Sequence, residues 1–128
     1  MKWRRGAANR NRPAANALDP DQWIDVAGVS ELRHNRTVVD VGGVAVLVVQ
    51  ASGRYFAMEN KCPHLARPLS DGRVHGHVIE CASHSYRWNL ETGEPAPCAH
   101  GLGPRALRRF EVAVTGGRIM LARRDLSS

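Results

Sequence analysis

The residues best suited to chemistry lie in two short segments, Cys62-Pro63-His64 and Cys81-Ala82-Ser83-His84, separated by sixteen residues. Each segment offers one thiol and one imidazole. Thiolates are soft anionic ligands and neutral imidazoles are uncharged ones, so clips of this kind point to bound metal. Two chemistries suit the four donors. One is a structural zinc ion held by two cysteines and two histidines. Zinc spacings, however, usually pair cysteine with cysteine and histidine with histidine. The other is a two-iron, two-sulfide centre with thiolates on one iron and imidazoles on the other. Thiolates stabilise ferric iron, while an iron held by neutral imidazoles accepts an electron more readily. The mixed pairing inside each clip favours iron over zinc. It also makes chance core cysteines beside surface histidines a poor account of the pattern.

The flanks carry a resemblance. They read Asn60-Lys61 before the first clip and Leu69-Ser70-Asp71-Gly72-Arg73-Val74 after it, then Val78-Ile79-Glu80 and Arg87-Trp88-Asn89-Leu90-Glu91-Thr92-Gly93-Glu94-Pro95 around the second. Over roughly residues 22 to 122 the chain resembles the Rieske ferredoxins, small electron carriers that feed multicomponent bacterial oxygenases. The resemblance implies an all-β fold: an antiparallel β-sandwich or barrel with an inserted, loop-rich cluster-binding subdomain at about 59–97. It implies one Rieske [2Fe–2S] cluster per chain, with Cys62 and Cys81 on one iron and His64 and His84 on the other. It also implies a carrier with no catalytic residue of its own, passing single electrons from a flavin-dependent reductase to a terminal oxygenase. Leu69 and Leu65 would limit water at the sulfides, and Pro95 and Pro97, or Gly103-Pro104, would supply a covering proline loop.

Several positions depart from the family pattern. Ala82 and Ser85 stand where proline and glycine are common, and Ala66 where glycine is frequent. Respiratory-chain relatives bridge the two loops with a disulfide. Here Leu65 or a neighbour and Ser83 occupy those places, so a reducing compartment is expected. High-potential relatives place a serine and a tyrosine after the second histidine as donors to sulfur. The matching residues are Tyr86 and Trp88, with Trp88 expected in the core, so a low potential is expected. Cys98-Ala99-His100 repeats the first spacing but lacks its flanks and reads as an outer loop; His34, His75 and His77 read as exposed.

Three other functions share part of this pattern. A small subunit of an assimilatory nitrite reductase shares the fold but often lacks the ligands. A piece of a Rieske oxygenase would need a second iron site with two histidines and a carboxylate, for which nothing is visible after residue 97. A redox sensor whose basic arm touches nucleic acid is the third.

Composition sets the frame. The chain has 128 residues, 43% hydrophobic and only 5% aromatic, so one domain with a core of branched aliphatics is expected. No apolar run approaches the roughly eighteen residues of a membrane span. The net charge is +6, with Lys2, Arg4, Arg5, Arg10 and Arg12 in the first twelve residues and a second group at Arg105, Arg108, Arg109, Arg118, Arg123 and Arg124. Between Glu59 and His100 the balance is almost neutral, so by count the cluster face is not basic. No nucleic-acid motif accompanies the basic excess, and no nucleic-acid partner is expected. Arg4-Arg5 is followed by polar residues rather than an apolar segment, so the reading is cytoplasmic and without a signal peptide. A monomer is expected.

The elements that must position the site follow from pattern. Residues 1–19 lack apolar periodicity and read as a disordered basic arm, leaving 20–124 as the domain. Trp23 to Val26 reads as a strand, and Val29 to Leu32 as a turn or brief helical step. Gly42-Gly43 joins Arg36–Val41 to Val44–Val49, and Ser52-Gly53 leads to Arg54–Met58, completing an expected meander. Short strands are expected near 77–80 and 86–89, and a last hairpin at 107–122 turns at Gly116-Gly117.

Overall fold

A computed structural model describes residues 19–63, 67–82, 86–97 and 105–126. His64, His84, Cys98, His100, Gly103-Pro104 and nearly all of the basic arm lie outside these residues.

The described chain forms three antiparallel sheets, as the resemblance implies. The central one contains β2 (Arg36–Val41), β3 (Val44–Ala51), β4 (Arg54–Glu59) and β9 (Arg109–Phe110), in that order. A second joins β1 (Trp23–Gly28), β11 (Arg118–Ala122) and β10 (Val112–Thr115). The third is β5 (Arg73–His75), β6 (Val78–Glu80), β7 (Arg87–Asn89) and β8 (Pro95–Ala96). A short helix, α1 (Arg123–Leu126), follows β11.

The apolar run of β3 is explained by its place in the middle. Strand residues alternate faces. Leu47, Val49 and Ala51 enter one buried cluster with Phe56, Met58, Ile79, Trp88 and Leu90. Val46 and Val48 enter another with Ala57, Phe110, Val112, Ile119 and Leu121. A strand covered on both faces has no solvated side, so it reads as continuously hydrophobic. The central sheet is thus a shared wall between a basal core and a core under the cluster loops.

The turns behave as their dipeptides require. Gly42-Gly43, Ser52-Gly53 and Gly116-Gly117 all have positive φ, as two-residue hairpin turns matching strand twist demand. His34-Asn35 does the same between Arg33 and Arg36, a turn the sequence reading passed over.

Some expectations are corrected. The first strands are not one meander: β2, β3 and β4 are, but β1 leaves them and pairs with β11, since its partner only arrives at the end of the chain. Asp25 and Arg118 clamp that pairing at 2.7 Å, and this hydrogen bond holds the guanidinium above its ordinary pKa. Pro95 is not a covering loop. It lies in β8, paired with Trp88, at a sheet edge where a missing N–H is tolerated. Strands β5 and β8 and helix α1 were not foreseen, being too short for a periodic signal.

Candidate metal centre

Cys62 and Cys81 sit at the feet of two matching loops. Cys62 follows β4 after Asn60 and Lys61, and Cys81 directly follows β6. The Cys62 N–H donates to the Arg67 carbonyl at 2.7 Å, and the Cys81 N–H donates to the Tyr86 carbonyl at 2.7 Å. Each bond closes a loop of the same length, with the cysteine first. Both side chains are buried, at 0% and 2% exposure, in one apolar cluster with Leu69, Ile79, Trp88 and Leu107. The two cysteines, nineteen positions apart, are therefore brought to one place. Neither forms a disulfide.

The first loop is anchored by side chains. Asn60 Oδ1 accepts the Ser70 N–H at 2.8 Å, and Asn60 Nδ2 reaches Ser70 Oγ at 3.3 Å. From β2, Arg36 Nη1 donates to the carbonyls of Ser70 and Gly72 at 2.9 and 2.7 Å. Leu69 is fully buried. Gly72 packs so closely on β6 that an added Cβ would lie 2.2 Å from the Glu80 carbonyl oxygen. This gives the Leu-Ser-Asp-Gly flank its physical meaning: a buried plug, a pinned serine and a glycine without room for a side chain.

The second loop rests on a hairpin. Asn89 Oδ1 accepts the N–H groups of Glu91 and Thr92, and Thr92 Oγ1 accepts that of Glu94. Gly93, at φ 80°, returns the chain and accepts the Leu107 N–H at 2.8 Å. Trp88 is fully buried as expected, and its indole N–H donates to the Arg105 carbonyl at 2.8 Å. That bond ties the chain after segment 98–104 to β7.

A buried ion pair joins the halves. Arg54, 4% exposed, binds Glu91 and lies 3.3 Å from His77 Nε2. His77 is half-buried rather than exposed, with Nδ1 3.7 Å from Glu91. His34 and His75 are exposed as expected. Sequence reasoning missed Arg36 and Arg54 and quoted Asn60 only as a flank, without its anchoring role, because partners 34, 37 and 10 positions away leave no local pattern.

Among the described residues no group of three or more Cys, His, Asp or Glu could hold a metal, since the two histidines of the clips lie outside them. The described donors nevertheless suit an iron–sulfur group. Two cysteines share one buried patch, each begins an equal loop, and each is followed within three residues by a histidine. An ionised thiolate in an apolar core is costly without a positive partner, which ferric iron supplies.

Comparison with known proteins agrees. Residues 22–111 match the family model of the Rieske [2Fe–2S] domain. The ferredoxin CarAc of Metapseudomonas resinovorans is 35% identical over 104 residues, covering 78% of this chain and 92% of that one. The ferredoxin component of the alkene monooxygenase system of Xanthobacter autotrophicus is 31% identical over 121 residues, covering 91% and 94%. A solved complex of reduced oxygenase and oxidized ferredoxin in carbazole 1,9a-dioxygenase contains a chain that superimposes with a TM-score of 0.67 at 31% identity, covering 78% and 92%.

Proposed function

Because this chain belongs to the Rieske [2Fe–2S] family, we propose that it is the ferredoxin component of an oxygenase system, receiving single electrons from a flavin-dependent reductase and delivering them to a terminal oxygenase. The observation that carries this is the pair of equal loops with buried cysteines at their feet. Within this reading Cys62 and Cys81 hold one iron, and His64 and His84 the other. When bound, the group takes up and releases one electron at a potential above that of all-cysteine clusters.

The chain's own residues supply the setting. Leu69, Trp88 and Leu107 exclude water beneath the cysteines. Arg36, Asn60 and the Gly93 hairpin hold the loops still, which keeps ligand positions fixed between oxidation states. Trp88 stands where high-potential relatives carry a hydroxyl donor, and the one donor of its side chain, the indole N–H, is committed to the Arg105 carbonyl. The midpoint at pH 7 should therefore be negative, low in the Rieske range of about −150 to +300 mV.

A cytoplasmic setting and a monomeric carrier belong to the same reading. Leu65 and Ser83 leave no cysteine pair to bridge the loops, so nothing in the site calls for an oxidising compartment. Among the described residues no helix is long and apolar enough to cross a membrane.

The test is metal content and spectroscopy on protein from iron-replete cells. Two irons and two sulfides per chain are expected, with the low average g-value of mixed histidine and cysteine ligation after reduction. Stoichiometric zinc, with no such signal after reconstitution, would overturn the reading. Replacing His64 or His84 should alter or abolish the signal, whereas Cys98→Ser and His100→Ala should leave it intact.

A further inference from the structure

The third sheet sorts charge in a way that a count along the chain hides. One end of it is the end that meets the cysteine loops. There β5 begins at Arg73, β6 ends at Glu80 before Cys81, β7 begins at Arg87, and β8 ends at Ala96. These four residues stand in one row across the sheet. The opposite end holds His77, Glu91 and Glu94, with Glu91 neutralised by Arg54.

Cations also mark the feet of the loops. Lys61 precedes Cys62, Arg67 closes the first loop, Arg87 follows the residue that closes the second, and Arg105 ends the segment after β8. All four are exposed. Arg105 is held against β7, the strand that follows the second loop, because its carbonyl accepts the Trp88 indole N–H. The nearby acids are largely spoken for. Glu80, 14% exposed, lies 3.4 Å from both Arg87 and His75, and Glu59 lies 3.8 Å from Lys61. Asp71 is exposed at the turn before β5. Among the described residues the side chains of Arg67, Arg73 and Arg105 make no ion pair, so their charge faces solvent.

We infer that the loop end of the molecule is a cationic docking rim, its net charge supplied by Arg67, Arg73 and Arg105 beside the ion-paired Lys61 and Arg87, for a redox partner protein whose electron-transfer opening is lined by carboxylates. The inference rests on the carrier reading above and adds the sign of the partner's surface. Complementary charge here raises the encounter rate and orients the loop end toward the partner, which matters for a carrier that must bind and leave quickly. The basal arginines contribute to the net charge of +6 but lie on α1 and β11, away from the loops, so they cannot orient it.

Electron exchange with small inorganic complexes reads the sign of charge at the exit point. The reduced protein is mixed in stopped flow with ferricyanide, an anion, or with tris(phenanthroline)cobalt(III), a cation. In each case one electron leaves the protein and reduces the metal complex. Raising salt from 0.01 to 1 M shortens the screening length from about 30 to about 3 Å. The ferricyanide rate should fall roughly tenfold over this range, and the cobalt rate should not fall. Arg67→Glu/Arg105→Glu should remove most of the ferricyanide slope, while Arg123→Glu/Arg124→Glu, with the same change in net charge, should keep it. Calorimetry with redox-inert hexacyanocobaltate(III) gives a readout independent of electron transfer: binding to wild type and to the basal pair, lost in the rim pair.

A protein that forms no reducible cluster would sink the carrier reading instead. A reducible protein whose ferricyanide rate rises with salt, or whose slope follows the basal pair, would overturn the rim. So would duplex DNA binding that survives physiological salt and is lost in the rim pair, because the rim would then be a phosphate surface.

Discussion

Strands β2 and β3 pair over six residues, β3 and β4 over six more, and β1 with β11 over five, whereas no ladder in the sheet beneath the cysteines exceeds three. Ladders of two or three pairs are marginal by themselves. The basal half is held by its backbone and by two faces of β3. The cluster half is held by side chains reaching across: Arg36 and Asn60 to the first loop, Arg54 to Glu91, and Trp88 to Arg105. The difference teaches that the site is a guest on a rigid wall. Its order depends on a few polar anchors, and losing one should loosen the loops while the wall stands.

The harshest way to separate the halves is Cys81→Ser. It should abolish cluster loading altogether, yet the β-sheet circular dichroism of the basal half should persist in the apo protein. Loss of that signal would mean that the wall needs its guest.

Gly72→Ala comes next, because a Cβ there would stand 2.2 Å from the Glu80 carbonyl oxygen. Overpacking against backbone with no room to relax should destabilise the cluster half by roughly 3 kcal/mol or more. Hydrogen exchange should show the loss confined to β5 through β8.

Arg36→Met keeps much of the aliphatic bulk but removes two charge-assisted hydrogen bonds, at 2.9 and 2.7 Å. The expected cost is about 2–3 kcal/mol, since each such bond is worth roughly 1.5–3 before allowing for partial exposure. Faster iron release to a chelator, with basal amide protection unchanged, is the reading to look for. Arg54→Met should follow at about 2 kcal/mol. Glu91, 28% exposed, can recover some solvation once its partner is gone.

The smallest effect belongs to removal of residues 1–17. The cut spares Asp19, whose carbonyl accepts the N–H groups of Gln22 and Trp23 at the start of β1. Cluster content and thermal midpoint should stay at wild-type values. A clear drop in either would show that the arm packs on the domain.

What could be read from residues alone was whatever is encoded over a short stretch. Alternation and turn dipeptides marked β2, β3 and β4 within a residue or two and the Gly116-Gly117 turn into β11, but the strand expected over 107–114 divides into β9, which pairs with β4, and β10, which pairs with β11. Donor type and spacing singled out Cys62, His64, Cys81 and His84, and the flanks led to the family that Rieske-domain similarity over 22–111 bears out. Donor spacing of this kind is legible because metal geometry constrains neighbours in sequence. Three things needed the tertiary structure. The pairing of β1 with β11 joins the ends of the domain, which no local pattern can announce. The anchors Arg36 and Arg54 act on residues more than thirty positions away. The near-neutral stretch from Glu59 to His100 becomes a cationic loop end only after folding, when β5 to β8 bring Arg73 and Arg87 to one end and leave Glu91 and Glu94 at the other. Charge is additive along a chain but directional on a surface, and the sheet sets the direction.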